Sequence, residues 1–266
     1  MSTILRIEGL VKAYRGVTAL DGVSLNVAKG AITGLIGPNG SGKSTLFDCV
    51  SGFQRQDSGR VWLDAGRGEV ELTRSTPVRI ARAGLRRTFQ QLKVFAGLSV
   101  RDNLLTAAQA APGFSALTEV LRLGGVRDHE RELRRRAERV LEDCRLVAQR
   151  DAPAGALSYG QKKLLELGMA LMTDPKVLLL DEPVAGVNPT LIEELKAQLI
   201  RVCRRGVTLF IVEHNLKLVF DLCERIFVLD RGRLLREGSP DEVARDARVM
   251  EAYLGAQAHP ARPTHG

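Results

Sequence analysis

A glycine-rich stretch near residue 40 constrains the fold of this chain more than any other part of it. The stretch at 37–45 reads Gly-Pro-Asn-Gly-Ser-Gly-Lys-Ser-Thr and matches the pattern G-x-x-x-x-G-K-[ST]. It follows an apolar segment of strand length, 31–36, and precedes a segment with a helical pattern, 44–50. A strand that leads through such a loop into a helix is typical of α/β folds built on a parallel sheet.

The chemistry of this loop favours the phosphates of a nucleotide. Glycines let successive backbone N–H groups point inward, and the N-terminus of the following helix favours an anion. In this pattern Lys43 reaches the β- and γ-phosphates, and the hydroxyl of Ser44 ligates Mg²⁺. An ordinary glycine-rich turn is the alternative, which the strand and helix on either side disfavour. The sequence therefore predicts a nucleotide-binding loop made of Gly37, Pro38, Asn39, Gly40, Ser41, Gly42, Lys43, Ser44 and Thr45.

Two adjacent acids follow a second apolar strand. The segment 177–183 reads Val-Leu-Leu-Leu-Asp-Glu-Pro, which places Asp181 and Glu182 at the carboxyl end of a predicted parallel strand. Asp181 is expected to hold Mg²⁺ through water, and Glu182 to polarise the attacking water as general base. Capping of the next helix, or simple exposure to solvent, is the alternative. A charged pair directly after four apolar residues makes that alternative the weaker one.

The length and composition are those of a folded protein. With 266 residues, 44% of them hydrophobic and 26% charged, the chain is long enough for one large α/β domain. Its longest apolar runs, 177–180 and 207–212, are of strand length and too short to cross a bilayer. The first nine residues show no secretory leader pattern. We therefore expect a cytoplasmic protein whose membrane role, if any, depends on a partner.

The net charge of +8 and the pI near 9.6 are compatible with two kinds of partner. One is nucleic acid; the other is the phosphates of a nucleotide, together with a position beneath an anionic membrane face. The basic run 134–136 lies among glutamates at helical spacing, which favours a solvated helix over a nucleic-acid contact. The cysteines lack metal-ligand spacing, so reduced structural thiols are expected at Cys49, Cys144, Cys203 and Cys223.

The secondary-structure pattern changes twice along the chain. Alternating strands begin it, residues from 99 to about 147 are helical in pattern, and apolar strands alternate with helices again from 177. A Ser99–Asp102 capping box and an apolar stripe over 133–144 support the helical part. The segment 226–237 predicts a terminal hairpin around a turn at 230–232. This order predicts an α/β core with antiparallel strands at its start and a helical insertion.

A third motif makes the interpretation specific. The segment 157–161 reads Leu-Ser-Tyr-Gly-Gln, with Ser158 and Gln161 placed as a capping box; a good helix start is its plain interpretation. Together with the phosphate loop and the Asp-Glu pair, it resembles the signature motif of ABC ATPases, normally Leu-Ser-Gly-Gly-Gln. The resemblance extends from about residue 5 to 254. It implies a P-loop NTPase core with a mainly parallel sheet, an N-terminal antiparallel β subdomain and an inserted α-helical subdomain.

Other residues acquire roles through this resemblance. Tyr14 resembles the aromatic that stacks on adenine. Gln90, in Thr-Phe-Gln, is similar to the glutamine that senses Mg²⁺ and the attacking water, although Gln91 beside it makes the position ambiguous. His214, after a buried strand, resembles the switch histidine at the γ-phosphate. Taken alone, Tyr14 and His214 would more often be surface or structural residues.

The resemblance also implies an assembly. In this family two ATPase chains sandwich ATP between the phosphate loop of one and the signature motif of the other, here Ser158, Gly160 and Gln161. Binding closes the pair and hydrolysis reopens it. Residues 92–100 correspond to the surface that docks integral membrane permease subunits. We expect one domain at 1–255 with a helical subdomain at 98–160, and a disordered tail at 256–266.

Two departures from the family pattern narrow the subfamily. Tyr159 replaces the first signature glycine, and Asn188 stands where many relatives carry an aspartate that joins the two sites. With the Arg-Thr-Phe-Gln segment and the ending Glu-Ala-Tyr-Leu-Gly at 251–255, they are similar to ATP-binding subunits of branched-chain amino acid importers. Urea and short-amide importers are much alike in these features.

The implied partners are permease subunits, a second ATPase chain (this one or a paralogue) and, indirectly, a solute-binding protein. The implied location is peripheral, on the inner face of the plasma membrane, with no nucleic acid bound. Rival readings are a soluble ABC ATPase acting on DNA or ribosomes, a GTPase and a lipopolysaccharide-exporting ATPase. The single cassette weighs against a soluble ABC ATPase, and the missing Asn-Lys-x-Asp motif weighs against a GTPase. Tyr159, in place of a signature glycine, weighs against a lipopolysaccharide-exporting ATPase.

Overall fold

The computed structural model describes residues 2–66, 68–88, 94–109 and 126–258. It divides into two compact units, the first made of Met1–Arg74 and Phe210–Gly266 and the second of Ser75–Leu209. Gln90, Gln91 and the start of the predicted docking surface, 92–93, lie outside the described residues, as does 259–266 of the predicted tail.

The described elements alternate between strands and helices after an all-β start. The strands are β1 (Thr3–Tyr14), β2 (Val17–Ala28), β3 (Ile32–Ile36), β4 (Ser58–Asp64), β5 (Glu69–Glu71), β6 (Leu85–Arg87), β7 (Val177–Asp181), β8 (Thr208–Val212), β9 (Arg225–Asp230) and β10 (Arg233–Gly238). The helices are α1 (Lys43–Val50), α2 (Pro77–Ala83), α3 (Val100–Gln109), α4 (Val126–Asp143), α5 (Tyr159–Leu171), α6 (Pro189–Arg204), α7 (Leu216–Leu222), α8 (Pro240–Ala244) and α9 (Ala247–Ala258).

The first unit opens with an antiparallel sheet in the order β2-β1-β4-β5. β1 and β2 form a long hairpin whose tip, Arg15 and Gly16, has φ angles of 45° and 88°. Two successive residues with positive φ give the tight turn whose twist matches that of paired strands. β1 also pairs with β4, with Leu5 opposite Leu63. The predicted antiparallel start is confirmed.

The first unit also contains strands that support the glycine-rich loop. β3 runs parallel to β9, with Leu35 opposite Phe227, and β9 pairs antiparallel with β10. Every residue of β3 is buried, which is expected of a strand covered on both faces. The predicted terminal hairpin is therefore confirmed, and α9 continues after it to Ala258.

The second unit contains parallel strands and most of the described helices. β6 runs parallel to β7, with Arg87 opposite Leu179, and all five residues of β7 are buried. The side-chain hydroxyl of Ser99 accepts a hydrogen bond from the backbone N–H of Asp102 at 3.0 Å, as the cap prediction requires. The reciprocal bond differs, because the Asp102 carboxylate accepts from the Ser99 hydroxyl instead of the backbone. The mixture of an antiparallel sheet with parallel strands and helices confirms the α/β fold class.

The long helix α4 has the two faces that its sequence predicts. Ala137, Val140 and Leu141 are buried, whereas Arg134 is exposed and pairs with Glu130 at 2.7 Å. This agrees with a solvated basic face. The four cysteines are buried, and no disulfide joins them within the described ranges. Within the described ranges, no helix combines the length and apolar character that crossing a membrane requires.

Candidate functional site

The phosphate loop in the first unit connects β3 to α1, as the sequence predicts. Gly37 and Gly42 have φ angles of 150° and 105°. A Cβ atom on Gly37 would lie 2.1 Å from the carbonyl oxygen of Leu229, and one on Gly42 would lie 2.5 Å from that of Ala19. Because backbone atoms cannot yield as a side chain can, both positions require glycine.

Lys43 is held by the loop that it belongs to. Its ammonium Nζ donates to the carbonyl oxygens of Gly37 at 2.7 Å and Pro38 at 2.9 Å, and the residue is only 5% exposed. Ser44, the next residue, is exposed at the start of α1. A fixed ammonium and a hydroxyl at a helix N-terminus are donors that suit an anion such as phosphate.

Tyr253 lies beside the same loop and was missed by the sequence analysis. It belongs to α9, and its hydroxyl is buried near the backbone N–H of Gly37 without forming a hydrogen bond of standard geometry to a described residue. Burial is the main influence on its pKa, which rises to about 12, so the phenol stays neutral at physiological pH. The sequence feature that could have pointed to Tyr253 is its position within the segment Glu-Ala-Tyr-Leu-Gly at 251–255.

The predicted adenine-stacking residue, Tyr14, lies at the end of β1 beside the hairpin tip. Its side chain is 40% exposed, and the Nζ of Lys12 lies 5.2 Å from the ring centroid. Lys12 also pairs with Asp57 at 3.0 Å, which fixes the ammonium beside the ring. An exposed aromatic face on a rigid strand can stack on a planar base.

His214 directly follows β8 and is exposed. The buried carboxylate of Glu213 accepts hydrogen bonds from the backbone N–H groups of His214 at 3.0 Å and Asn215 at 3.3 Å. Asn215 in turn caps α7 by accepting from the backbone N–H of Leu218 at 3.1 Å. The sequence analysis missed Glu213, which holds the backbone that carries the predicted switch histidine.

The second unit contains the acidic pair. Asp181 ends β7 at 5% exposure, and its Oδ2 accepts from the Nη2 of Arg87 at 2.7 Å. Its other oxygen, Oδ1, is buried and has no hydrogen-bond partner among the described residues. A buried carboxylate oxygen of this kind fits a hard cation or a water bound to one.

Glu182 has a left-handed backbone, with a φ of 48°, which is uncommon for a residue other than glycine. Its carbonyl oxygen accepts from the backbone N–H of Ala185 at 3.1 Å, so the chain turns directly after β7. Strained backbone of this kind recurs at functional sites, where the surrounding structure holds it in place.

The signature segment begins α5 with both hydrogen bonds of a capping box. The side chain of Ser158 accepts from the backbone N–H of Gln161 at 3.3 Å, and the side chain of Gln161 accepts from the backbone N–H of Ser158 at 3.0 Å. A Cβ atom on Gly160 would lie 1.4 Å from Cδ2 of Leu191, so a larger residue at this position would have to displace the Leu191 side chain. The predicted helix start is confirmed.

The structure groups the predicted residues within each unit. The first unit carries the phosphate loop with Tyr14 and His214, and the second carries Asp181 and Glu182 with the signature segment. Arg87 was missed, although two consecutive arginines at 86–87, immediately before Thr-Phe-Gln, are unusual in a strand. Among the described residues, no cluster of His, Cys, Asp and Glu forms a separate metal site.

Family models match two parts of the chain. Residues 20–185 match the ABC transporter family, and residues 234–259 match the branched-chain amino acid ATP-binding cassette transporter family. The first match contains the phosphate loop, the signature segment and the acidic pair. The second contains Tyr253.

Similar proteins cover nearly the whole chain. A probable branched-chain amino acid transport ATP-binding protein LivG from Methanocaldococcus jannaschii is 38% identical, over 95% of this chain and 97% of the relative. The high-affinity branched-chain amino acid transport ATP-binding protein BraF from Pseudomonas aeruginosa is 36% identical, over 95% and 98%.

Solved structures agree with these relatives. A crystal structure of the ADP conformation of an ATP-binding cassette of an ABC transporter is 37% identical, with a TM-score of 0.83 over 96% of this chain and all of that one. A nucleotide-free cassette is 36% identical, with a TM-score of 0.80 over 94% and 98%. The chain therefore belongs to the ATP-binding cassettes of the ABC transporter family, and its C-terminal segment is of the branched-chain amino acid type.

Proposed function

We propose that this chain is the ATP-hydrolysing subunit of an ABC importer for branched-chain or related amino acids. The observation that carries the proposal is the phosphate loop, in which the ammonium of Lys43 is held by the carbonyl oxygens of Gly37 and Pro38. The relatives named for branched-chain amino acid transport support the solute class. These relatives do not favour the alternative, an importer of urea or short amides.

The predicted roles divide between binding and hydrolysis. Tyr14 stacks on the adenine, residues 37–45 hold the phosphates, and Ser158, Gly160 and Gln161 bind the ATP of the partner subunit. Ser44 and Asp181 hold Mg²⁺, together with Gln90. Bound Mg²⁺ neutralises charge on the phosphate oxygens.

Hydrolysis then depends on the orientation of one water. Glu182 accepts its proton, and His214 and Gln90 contact the γ-phosphate and the attacking water. The left-handed backbone of Glu182 and the carboxylate of Glu213 behind His214 support these assignments, since both hold a predicted catalytic group in place.

Membership of the family supports an assembly with membrane subunits. Two ATPase chains, alike or paralogous, bind permease subunits through residues 92–100 and so work at the inner face of the plasma membrane. Phe95 and Leu98 support a docking role, since both are large apolar side chains that are 53% and 39% exposed. A solute-binding protein delivers the amino acid, and no nucleic acid takes part.

The catalytic proposal is tested by Glu182→Gln. This variant should bind ATP with unchanged affinity, lose hydrolysis and accumulate as an ATP-bound dimer in size-exclusion chromatography. Glu193→Gln, an exposed glutamate in α6, is the matched control and should hydrolyse ATP normally. Turnover at the unsubstituted rate in Glu182→Gln would remove Glu182 as the base. Lys43→Ala should lose ATP affinity, and normal binding would contradict the phosphate-loop assignment.

The transport proposal is tested by affinity purification of the tagged chain from gently solubilised membranes. Two polytopic proteins and a second ATPase chain should co-purify. Uptake of labelled leucine by the reconstituted complex, with no uptake of urea, is then expected. Recovery of ribosomes or nucleic acid without membrane proteins would instead favour a soluble ABC ATPase.

A further inference from the structure

Two parallel strands end side by side with opposite charges. Arg87 is the last residue of β6 and Asp181 is the last residue of β7, and these strands are hydrogen-bonded neighbours. The Nη2 of Arg87 lies 2.7 Å from the Oδ2 of Asp181. The two side chains are only 8% and 7% exposed. The ion pair is therefore screened little by solvent.

This ion pair provides a hydrogen bond to only one of the two carboxylate oxygens of Asp181. Oδ2 of Asp181 accepts from Arg87, whereas Oδ1 is buried with no partner among the described residues. A buried carboxylate without a compensating charge is costly, and the guanidinium of Arg87 supplies that charge. The same guanidinium opposes a second cation at that carboxylate, because two positive groups then compete for one negative charge.

We propose that Arg87 competes with Mg²⁺ for the carboxylate of Asp181 and thereby weakens the affinity of the site for the metal. The inference rests on the proposed role of Asp181 in holding Mg²⁺. With Arg87 in place, Asp181 alone attracts a divalent cation weakly, and the metal needs nucleotide phosphates to be retained.

Arg86 provides a matched control within the same strand. Consecutive residues of a strand point to opposite faces, and Arg86 forms no ion pair among the described residues. Its guanidinium is partly buried, which lowers its pKa. Arg86→Gln removes the same charge from the same strand without touching Asp181.

The test is titration of the full chain with Mn²⁺, a paramagnetic substitute for Mg²⁺, in the presence of a non-hydrolysable ATP analogue. Free Mn²⁺ is followed by electron paramagnetic resonance. Arg87→Gln should bind Mn²⁺ about tenfold more tightly than the unsubstituted chain, within the usual range of coupling between two sites. Arg87→Lys keeps the charge but loses the planar fork, so about threefold tighter binding is expected. Arg86→Gln should bind Mn²⁺ as the unsubstituted chain does.

A second measurement separates competition from a merely structural role. Affinity for the analogue in EDTA should be the same for all three variants, because the phosphate loop belongs to other residues. A general loss of structure would instead lower the affinity for the analogue and the affinity for Mn²⁺ together. If Arg87→Gln does not fold, Arg87→Lys still tests the direction of the effect.

Asp181→Asn distinguishes failure of the inference from failure of the proposed function. Loss of Mn²⁺ affinity in Asp181→Asn, with no gain in Arg87→Gln and Arg87→Lys, would overturn the role of Arg87 alone. Unchanged Mn²⁺ affinity in Asp181→Asn would overturn the metal role of Asp181, and the inference with it.

Discussion

The hydroxyl of Tyr159 donates a hydrogen bond to the carbonyl oxygen of Ala185 at 3.3 Å. A Cβ atom on Gly186 would lie 3.5 Å from the same ring, so the tyrosine covers the turn between β7 and α6. Tyr159 is one departure from the family pattern, and Asn188, at the end of this turn, is the other. Both departures from the family pattern, Tyr159 and Asn188, therefore lie at the turn between β7 and α6.

Tyr159→Phe tests this contact. It keeps the ring over Gly186 and removes the hydrogen bond, so the free energy of unfolding should fall by only about 0.5 kcal/mol at this half-exposed site. Tyr159→Ala also removes the apolar contact and should reduce it by about 1–2 kcal/mol. Urea denaturation measures both. Equal losses would show that the ring contributes nothing to the turn.

Gly160→Ala is expected to destabilise the protein even though alanine favours helices. The added Cβ would overlap Leu191, and overpacking of this kind costs about 1–3 kcal/mol. The double variant Gly160→Ala/Leu191→Ala should regain at least about 1 kcal/mol relative to the sum of the single variants, because the two atoms compete for one space. Additive losses in chemical denaturation would contradict the contact.

Asn188 begins α6 through its side-chain oxygen, which accepts from the backbone N–H of Leu191 at 2.9 Å. Aspartate accepts the same bond, so Asn188→Asp should leave the free energy of unfolding within about 0.5 kcal/mol. Asn188→Ala should lower it by about 1 kcal/mol. Thermal unfolding of the three proteins at one pH makes the comparison. A marked loss in Asn188→Asp would mean that the amide donates a second, essential hydrogen bond.

Stability should fall at alkaline pH because of two buried thiols. Burial raises the pKa of Cys144 and of Cys223 to about 12, whereas a thiol in the unfolded chain ionises near its ordinary value of 9. These thiols therefore contribute stability below pH 9 that is lost as the pH rises towards 12. Each contributes a slope of up to about 1.4 kcal/mol per pH unit in that window.

Cys144→Ala isolates one of these contributions. Its free energy of unfolding should be lower at pH 8, because a small cavity forms, but should fall less steeply between pH 9 and 11. Urea denaturation across that range gives both slopes. Parallel slopes would mean that the thiol ionises alike in the folded and unfolded chains.

The fold class and several features of the candidate site could be predicted because they depend on local sequence patterns. The spacing of Gly37, Gly42 and Lys43 between a strand and a helix predicts the phosphate loop, and α1 begins at Lys43, one residue before the predicted start. The capping box at Ser158 and Gln161 also depends on residues three positions apart. Such features are decided within one turn of chain, where sequence spacing and distance in space coincide.

Pairings between distant residues could not be predicted in this way. Arg87 and Asp181 are 94 residues apart, and Tyr159 and Ala185 are 26 apart. Their contacts depend on which strands are neighbours and on how one helix start faces a turn, neither of which has a local signal. The sequence marks Asn188 as a departure from an aspartate that joins the two sites, whereas its cap on α6 is visible only in the structure.

The sequence by itself determined the α/β fold class, the nucleotide chemistry and the family, because glycines, a lysine and capping residues act at short range along the chain. Tertiary structure alone decided which charge faces Asp181, what fills the space beside Gly160 and which aromatic lies beside Gly37. These are matters of packing and of compensation for buried charge. They depend on groups brought together from distant parts of the chain, so no local pattern specifies them.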